Sequence, residues 1–379
     1  MSGLLPLLDR RILVCCGTGG VGKTTVSAAL GLIAAQRGKR TLVITIDPAR
    51  RLADSLGVRD LPNRATPIPI PEIAGNPPIS GELSAMMLDV ESTWNQLVER
   101  FANEETAAKI LGNRYYKKLT EGISGSQEYS AMLRLLDVVE DDAYDLVVVD
   151  TPPARNALEF LEAPRRLTDV LEEGVLGWLV SPSFSATRAG ARIFGKGGAA
   201  MFGIFERFIG GDVLRGLSEF ITAFSGLFGV LRGRSRAMER VLRQPSTAFL
   251  LVTQPTALAV RDAAAFHEQL MEAQMPFGGI VLNRVHWGSA GQPADDPPRG
   301  GGGFPGRPPR GIDAADHEAM VQRVWELHRL YSTWAEHDRR VIAAMKERFG
   351  ERLPYPEIPD LGTDLHDLRA LALLHPYLT

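Results

Sequence analysis

Apolar positions along the 379-residue chain fall into two kinds of run. Short unbroken runs stand at Ile12-Leu13-Val14-Cys15-Cys16, Thr41 to Ile46, Asp145 to Asp150, Ala248 to Thr253 and Gly279 to Asn283. They are rich in β-branched residues and do not alternate with polar ones, which predicts strands buried on both faces of a parallel sheet. Between them the apolar residues recur at helical spacing, over Val26 to Gln36, Glu91 to Phe101, Ser130 to Val139, Ala257 to Gln274 and, at greater length, Asp313 to Phe349. Gly38 stops the first helix, and strand, helix and strand in succession give βαβ units. Leu61 to Ser80 is punctuated by prolines and reads as irregular surface chain, Ala85 to Val90 is a short apolar segment, and Leu353 to Leu373 reads as an extended piece followed by a terminal helix.

Two regions break this rhythm. Residues 165–243 lack strand signals and mix apolar residues with many glycines, as in Met201-Phe202-Gly203-Ile204-Phe205 and Phe220-Ile221-Thr222-Ala223-Phe224, which predicts a helical insertion subdomain. Residues 288–311 are a Gly/Pro-rich stretch with Asp295-Asp296 and scattered arginines, too poor in apolar groups to offset ordering entropy, and are expected to form a flexible loop. The expectation is one α/β domain over 1–379 with a mostly parallel central sheet flanked by helices, carrying that insertion.

Composition narrows the class. At 45% hydrophobic and 23% charged the chain is an ordinary globular protein, and a net charge of -3 gives no electrostatic reason for nucleic acid as a partner. Cys15 and Cys16 are the only cysteines and are adjacent, so neither a disulfide framework nor a C-x-x-C metal pair can be built, which fits a reducing cytoplasm. Asp9 and the early strand argue against a signal peptide, and no stretch reaches the ~18 uninterrupted apolar residues of a membrane span.

The chemistry is concentrated after the first strand. Gly17-Thr18-Gly19-Gly20-Val21-Gly22-Lys23-Thr24-Thr25 satisfies G-x-x-x-x-G-K-[ST] in a strand, loop and helix setting, the pattern of a phosphate-binding loop. Glycines let backbone N–H groups converge on an anion at a helix N-terminus. Lys23 is then expected at the β- and γ-phosphates and the Thr24 hydroxyl on Mg²⁺, which makes this a P-loop NTPase fold with ATP and Mg²⁺ as its ligands. Ligands of open α/β sheets sit beyond the carboxyl ends of strands, which selects Asp47 and Asp150. Asp150 is the expected carboxylate on the Mg²⁺ side, a role compatible with capping a following helix. Asp47, ahead of Pro48, is placed either to orient or deprotonate water, itself touching the metal through water, or simply to cap the next helix.

The runs G-x-G-G-V-G-K-T-T, T-I-D-P-A-R-R-L-A-D-S-L, D-T-P-P-A-R-N-A-L and I-V-L-N-R, in that order over most of the chain, resemble the deviant P-loop ATPases that include the arsenical-pump ATPase and the guided-entry ATPase of tail-anchored membrane proteins. The resemblance implies that Asp47 is the water-activating aspartate of switch I, that Asp150 opens switch II, that Asn283 reads the adenine ring and that Gln254-Pro255 lines the nucleotide. It also implies a cytoplasmic dimer opened and closed by ATP, a hydrophobic membrane-protein client, and residues 165–243 in the place of the client groove. Their apolar faces either form such a groove or pack on the core or a partner.

Three departures matter. Thr18 stands where the family carries a signature lysine that reaches across the dimer, so the chain is a divergent member. A paralogous partner in a heterodimer is the favoured source of that lysine; Arg50, Arg51 or Arg155 in its place, or weak catalysis, are the alternatives. Arg155 and Asn156 replace the usual Gly-His of switch II, and the cysteines of arsenite sites and zinc staples are missing. A catalytically weak subunit that scaffolds a paralogue, and a partition or septum-site type ATPase, are the competing readings.

Overall fold

The computed structural model describes residues 3–47, 49–72, 80–113, 116, 126–152, 216, 219–220, 222–287 and 313–379. Eight strands form one sheet: β1 (Ile12–Cys16), β2 (Arg40–Thr45), β3 (Thr66–Pro67), β4 (Glu82–Met87), β5 (Leu146–Asp150), β6 (Thr247–Thr253), β7 (Phe277–Val285) and β8 (Glu357–Pro359). Their spatial order is β3-β4-β2-β5-β1-β6-β7-β8, and every pairing is parallel except that of β3 with β4. The expected mostly parallel α/β sheet is present. Ala85 to Val90, read only as a short apolar segment, supplies in Ala85 to Met87 the second half of β4, and the prolines of the supposedly irregular Leu61 to Ser80 still leave a two-residue edge strand. Proline is admitted there because an edge strand leaves one row of N–H groups unpaired.

The unbroken apolar runs are explained by two cores. Leu13, Cys15, Val43, Val148, Leu250 and Val281 point to one side, where they meet α1 (Lys23–Gln36) and α2 (Arg51–Leu56) together with α9 (Leu368–Ala372) and α10 (His375–Leu378) at the C-terminus. Ile12, Val14, Ile44, Val149, Leu251 and Leu282 point to the other. There they meet α5 (Ser126–Glu140), α6 (Phe228–Arg243), α7 (Ala259–Glu272) and α8 (Ala314–Phe349). Side chains alternate in direction along each strand, so a run buried on both faces must be apolar at every position.

A third core lies away from the sheet. Trp94 and Leu97 of α3 (Val90–Phe101) and Ile110 of α4 (Glu104–Leu111) pack with Tyr129 and Leu133 of α5 and with Phe220, Phe224, Leu227 and Leu231. Trp94 stacks on Tyr129 at 5.4 Å, and Phe220 on Phe224 at the same separation. Of the two apolar runs quoted for the insertion, the described part of the second is therefore core: Phe220 and Phe224 are buried. The first, Met201 to Phe205, lies outside the described residues, as do 165–215 in general, the loop 288–311, Pro48, Arg155 and Asn156. No described helix is long and apolar enough to cross a membrane.

Candidate active site

The strand register builds the site. β5 lies between β2 and β1, and Asp150, its last residue, is level with Thr45 of β2 and Cys15 of β1. All three are therefore at carboxyl ends of central strands, beside the loop that leaves β1. Gly17, Gly20 and Gly22 of that loop have φ of 151°, 80° and 93°. A Cβ on Gly17 would lie 2.2 Å from the Val252 carbonyl oxygen of β6, and one on Gly22 would lie 2.2 Å from Asn283 Nδ2 of β7. Gly17 is thus required by close approach as well as by conformation, and Gly22 by conformation, since a Cβ there would have to displace the Asn283 amide. The loop ends in α1, whose first-turn N–H groups face the cleft with the positive end of the helix dipole.

Asp150 has no exposed surface. Its Oδ2 accepts two hydrogen bonds, from the Thr24 hydroxyl at 2.8 Å and from the Thr45 hydroxyl at 2.9 Å. Its Oδ1 is buried and has no partner among the described residues. Burial disfavours the charged form and pushes the carboxyl up to about 6, against the opposing pull of both hydroxyls and Lys23. Lys23, also buried, donates from Nζ to the Thr18 carbonyl at 2.9 Å and so curls over its own loop. Burial lowers its pKa, and the Asp150 charge partly restores it. Beyond β5, the Thr151 hydroxyl donates to the Cys15 carbonyl at 2.8 Å and ties the start of the next loop to β1.

Asp47 stands on the opposite wall. Its Oδ1 accepts from the Ala49 N–H at 3.0 Å, and its Oδ2 pairs with the Arg51 guanidinium at 3.2 Å. It does not cap α2, whose N-cap is Arg50 without a side-chain bond, so the plain capping role is replaced by a local turn and an ion pair. The two walls enclose an open cleft of about 320 Å³ lined by Gly22, Lys23, Thr24, Asp47 and Arg51 and, unexpectedly, by the C-terminal segment Asp364-Leu365-His366. That segment reaches the cleft because α9, which follows it, packs on α1 and α2. No motif marks it; only the burial of Leu56 with Leu368 and Leu371 in one core brings it there. Thr45 was also missed, although its place at a strand end beside Asp150 was a usable signal.

The remaining site residues are near the loop but make other contacts. Asn283 donates from Nδ2 to the Val21 carbonyl at 2.8 Å, bracing the loop. Gln254 and Pro255 follow β6 directly, two and three residues after the Val252 whose carbonyl crowds Gly17. Thr18 and Gly19 are exposed at the loop tip, Val21 is buried, and Thr25 lines the cleft. Arg51 and Lys23 are the cations lining the cleft among the described residues. Cys15 and Cys16 are free and fully buried, and burial pushes the Cys15 thiol up to about 12 and Cys16 higher still, so neither is a ready thiolate.

The donor set fits a magnesium ion. Mg²⁺ takes oxygen ligands and retains waters; the Thr24 hydroxyl lines the cleft, and directly behind it the buried Asp150 carboxylate keeps one oxygen without a partner among the described residues. The family model described as anion-transporting ATPase matches residues 10–193, the span holding the glycine loop, Asp47 and Asp150. The chain is similar to the "ATPase ASNA1 homolog 1" of Paramecium tetraurelia, 26% identical over 71% of this chain and 73% of that protein. It is 26% identical to the "ATPase GET3" of Malassezia globosa over 74% of this chain and 75% of that one. To the "Putative arsenical pump-driving ATPase 1" of Aquifex aeolicus it is 23% identical, over 73% and 63% respectively.

Proposed function

We propose that the chain, which is similar over most of its length to ATPases of the anion-transporting/GET3 type, is a Mg²⁺-dependent, ATP-driven dimeric switch acting on a hydrophobic client in the cytoplasm. The observation that carries the reading is the buried Asp150 carboxylate, bonded to the Thr24 and Thr45 hydroxyls and left with one oxygen that has no partner among the described residues.

The backbone N–H groups of Gly20 to Thr25 and the α1 dipole hold the phosphates. Lys23 leaves the Thr18 carbonyl for the β- and γ-phosphate oxygens, a move that exchanges a neutral acceptor for an anionic one. Thr24 would ligate Mg²⁺, with Asp150 and Asp47 as the carboxylates beside it, and the ion when bound would supply neutralisation of charge on the phosphates. Asn283 turns its amide from Val21 to the adenine ring, for which it has both a donor and an acceptor, and Gln254 and Pro255 line the base. Asp47 orients the attacking water and takes its proton. To do so it must release Arg51, whose guanidinium is largely exposed and free to swing to phosphate oxygens. Replacing that ion pair by an Arg–phosphate contact ties water activation to the presence of ATP.

Thr18 cannot supply charge to a neighbouring subunit, so the favoured assembly is a heterodimer with a paralogue that carries the lysine. In the extreme, this chain is the weak subunit that activates that paralogue. One observation favours a second reading: Arg51 already lines the cleft and pairs with Asp47, and it can supply the missing cation within the chain. Turnover separates these readings. The heterodimer predicts slow Mg²⁺-dependent ATP hydrolysis by the isolated chain, raised on adding a lysine-bearing paralogue. Robust hydrolysis by the isolated chain that is lost in Arg51→Ala supports the second. Absence of ATP binding by chain and mixture alike would sink both.

A further inference from the structure

Beside Asn283 the sheet is irregular. Over the same stretch β8 advances two residues, Glu357 to Pro359, while β7 advances three, Leu282 to Val285. The extra residue of β7 is a β-bulge at Asn283 and Arg284, a device that re-aims a side chain. Arg284 has φ of 57°, a left-handed conformation that is costly for a residue with a Cβ. Asn283, just before it, reaches the Val21 carbonyl with Nδ2 at 2.8 Å.

Backbone strain of this kind persists only where the surroundings hold it. On one side of the bulge the Leu282 N–H donates to the Pro356 carbonyl at 2.9 Å, and on the other the Asp360 N–H donates to the Val285 carbonyl at 3.0 Å. The next residue is held by a side chain from another element. Oδ2 of Asp338, on α8, accepts the His286 backbone N–H at 2.8 Å and lies 2.8 Å from His286 Nδ1. Trp334 and Tyr331, one and two turns before Asp338, lay their rings against the His286 ring at centroid distances of 5.2 and 5.3 Å, which keeps Nδ1 at the carboxylate. Asp338 itself is only 4% exposed. The residues that follow it on the same face, Val341 and Met345, pack with Leu282 and Val285 in one core. An apolar side chain would suit that face without the desolvation cost of a carboxylate, so packing does not account for an aspartate there.

We propose that Asp338 is a positioning residue for base recognition: through His286 it locks the end of β7, holds the bulge, and keeps the Asn283 amide set for adenine. This assignment rests on the reading that Asn283 contacts the base. Adenine offers an amino donor beside a ring-nitrogen acceptor, the complement of an amide, whereas guanine offers two acceptors on the same edge. An amide whose backbone wanders loses that distinction, while the glycine loop still holds the phosphates. The clamp is therefore expressed in the choice between bases.

Isothermal titration of Mg²⁺-ATP and Mg²⁺-GTP against the full chain gives the ratio of their dissociation constants, with urea unfolding alongside. Wild type should prefer ATP by about tenfold or more, and Asn283→Ala should abolish the preference. Asp338→Leu puts an apolar side chain on the core face and should leave the chain folded, yet reduce the preference to about threefold or less. Asp338→Asn keeps an oxygen that can accept from both His286 groups and should restore the wild-type ratio. His286→Phe, which keeps a ring beside Tyr331 and Trp334 but removes Nδ1, should lower the preference by about twofold or more. In the Asn283→Ala background Asp338→Leu should change the ratio no further, because the two act as one unit. A preference lost in Asn283→Ala but untouched by Asp338→Leu and His286→Phe overturns the clamp and leaves the base contact standing. So does an Asp338→Asn variant that selects as poorly as Asp338→Leu. No preference in wild type, or the wild-type preference in Asn283→Ala, overturns the base contact and the clamp together.

Discussion

The two walls of the nucleotide cleft are built on opposite principles. The inner wall, formed by the glycine loop, Lys23, Thr24, Thr45 and Asp150, is exposed only at the loop tip and rests on the buried Lys23, Thr45 and Asp150, fixed by central strands in parallel register. The outer wall, formed by Asp47, Arg51 and the segment Asp364 to His366, is exposed at Arg51, Asp364 and His366, with Asp47 half-buried among them, and is held by a turn, an ion pair and a helix packing from the far end of the chain. A rigid wall positions phosphates and charge before substrate arrives, where preorganisation is worth most. A soft wall can change partners, and phosphoryl-transfer switches need such an element to report whether the γ-phosphate is present. On the proposed function, the degree of burial separates the residues that would hold ATP from those that would respond to it.

That separation is most exposed at Asp150. Asp150→Asn should lower Mg²⁺-dependent turnover by roughly 10² to 10³. It should also stabilise the nucleotide-free protein. The carboxyl rises from 3.8 to about 6 on folding. The folded state therefore binds more protons than the unfolded state between those values, and stability falls as pH rises through them. Above about pH 6 the buried charge costs about 3 kcal/mol, a penalty the amide avoids while still accepting from Thr24 or Thr45. Thermal melts of wild type and variant at pH 5 and pH 7.5 check this: the gap should be large at pH 7.5 and small at pH 5. By the same titration, wild-type Mg²⁺-ATP affinity should decline below about pH 6.

A smaller effect is expected from crowding the inner wall. Gly22→Ala places a Cβ at φ 93° and 2.2 Å from Asn283 Nδ2, which should cost about 1–3 kcal/mol of stability and displace the Asn283 brace. Urea unfolding measures the first and nucleotide titration the second. The smallest effect belongs to the outer wall: His366→Ala, at an exposed side chain, should leave the melting temperature unchanged and alter the KM for ATP by about threefold or less. A large loss of stability in that variant would erase the contrast between the walls.

The inner wall was legible in the sequence and most of the outer wall was not, for a physical reason. Gly17 to Thr25 and Asp150 sit next to strand runs whose burial on both faces dictates their composition, so motif and context reinforce each other. Asp47 was located by the same logic, but its engagement with Ala49 and Arg51 depends on a local turn that composition does not specify. Asp364 to His366 arrive through the packing of Leu368 and Leu371 on α1 and α2, more than three hundred residues away from the loop they face. The apolar content of the insertion likewise could not say which side it faced. Phe220 and Phe224 stack in a core of α3, α4 and α5, and a Leu, Met or Phe reads the same in sequence whether it faces protein or solvent.

The central claim is that Asp47 acts in hydrolysis and the inner wall in binding. The most direct test measures Mg²⁺-ATP affinity and single-turnover hydrolysis side by side for wild type and Asp47→Asn, with the paralogous partner present if the chain needs one. The account predicts affinity within about threefold of wild type and hydrolysis slowed by roughly 10² or more. Hydrolysis at the wild-type rate, or a loss of affinity that matches the loss of rate, would contradict it.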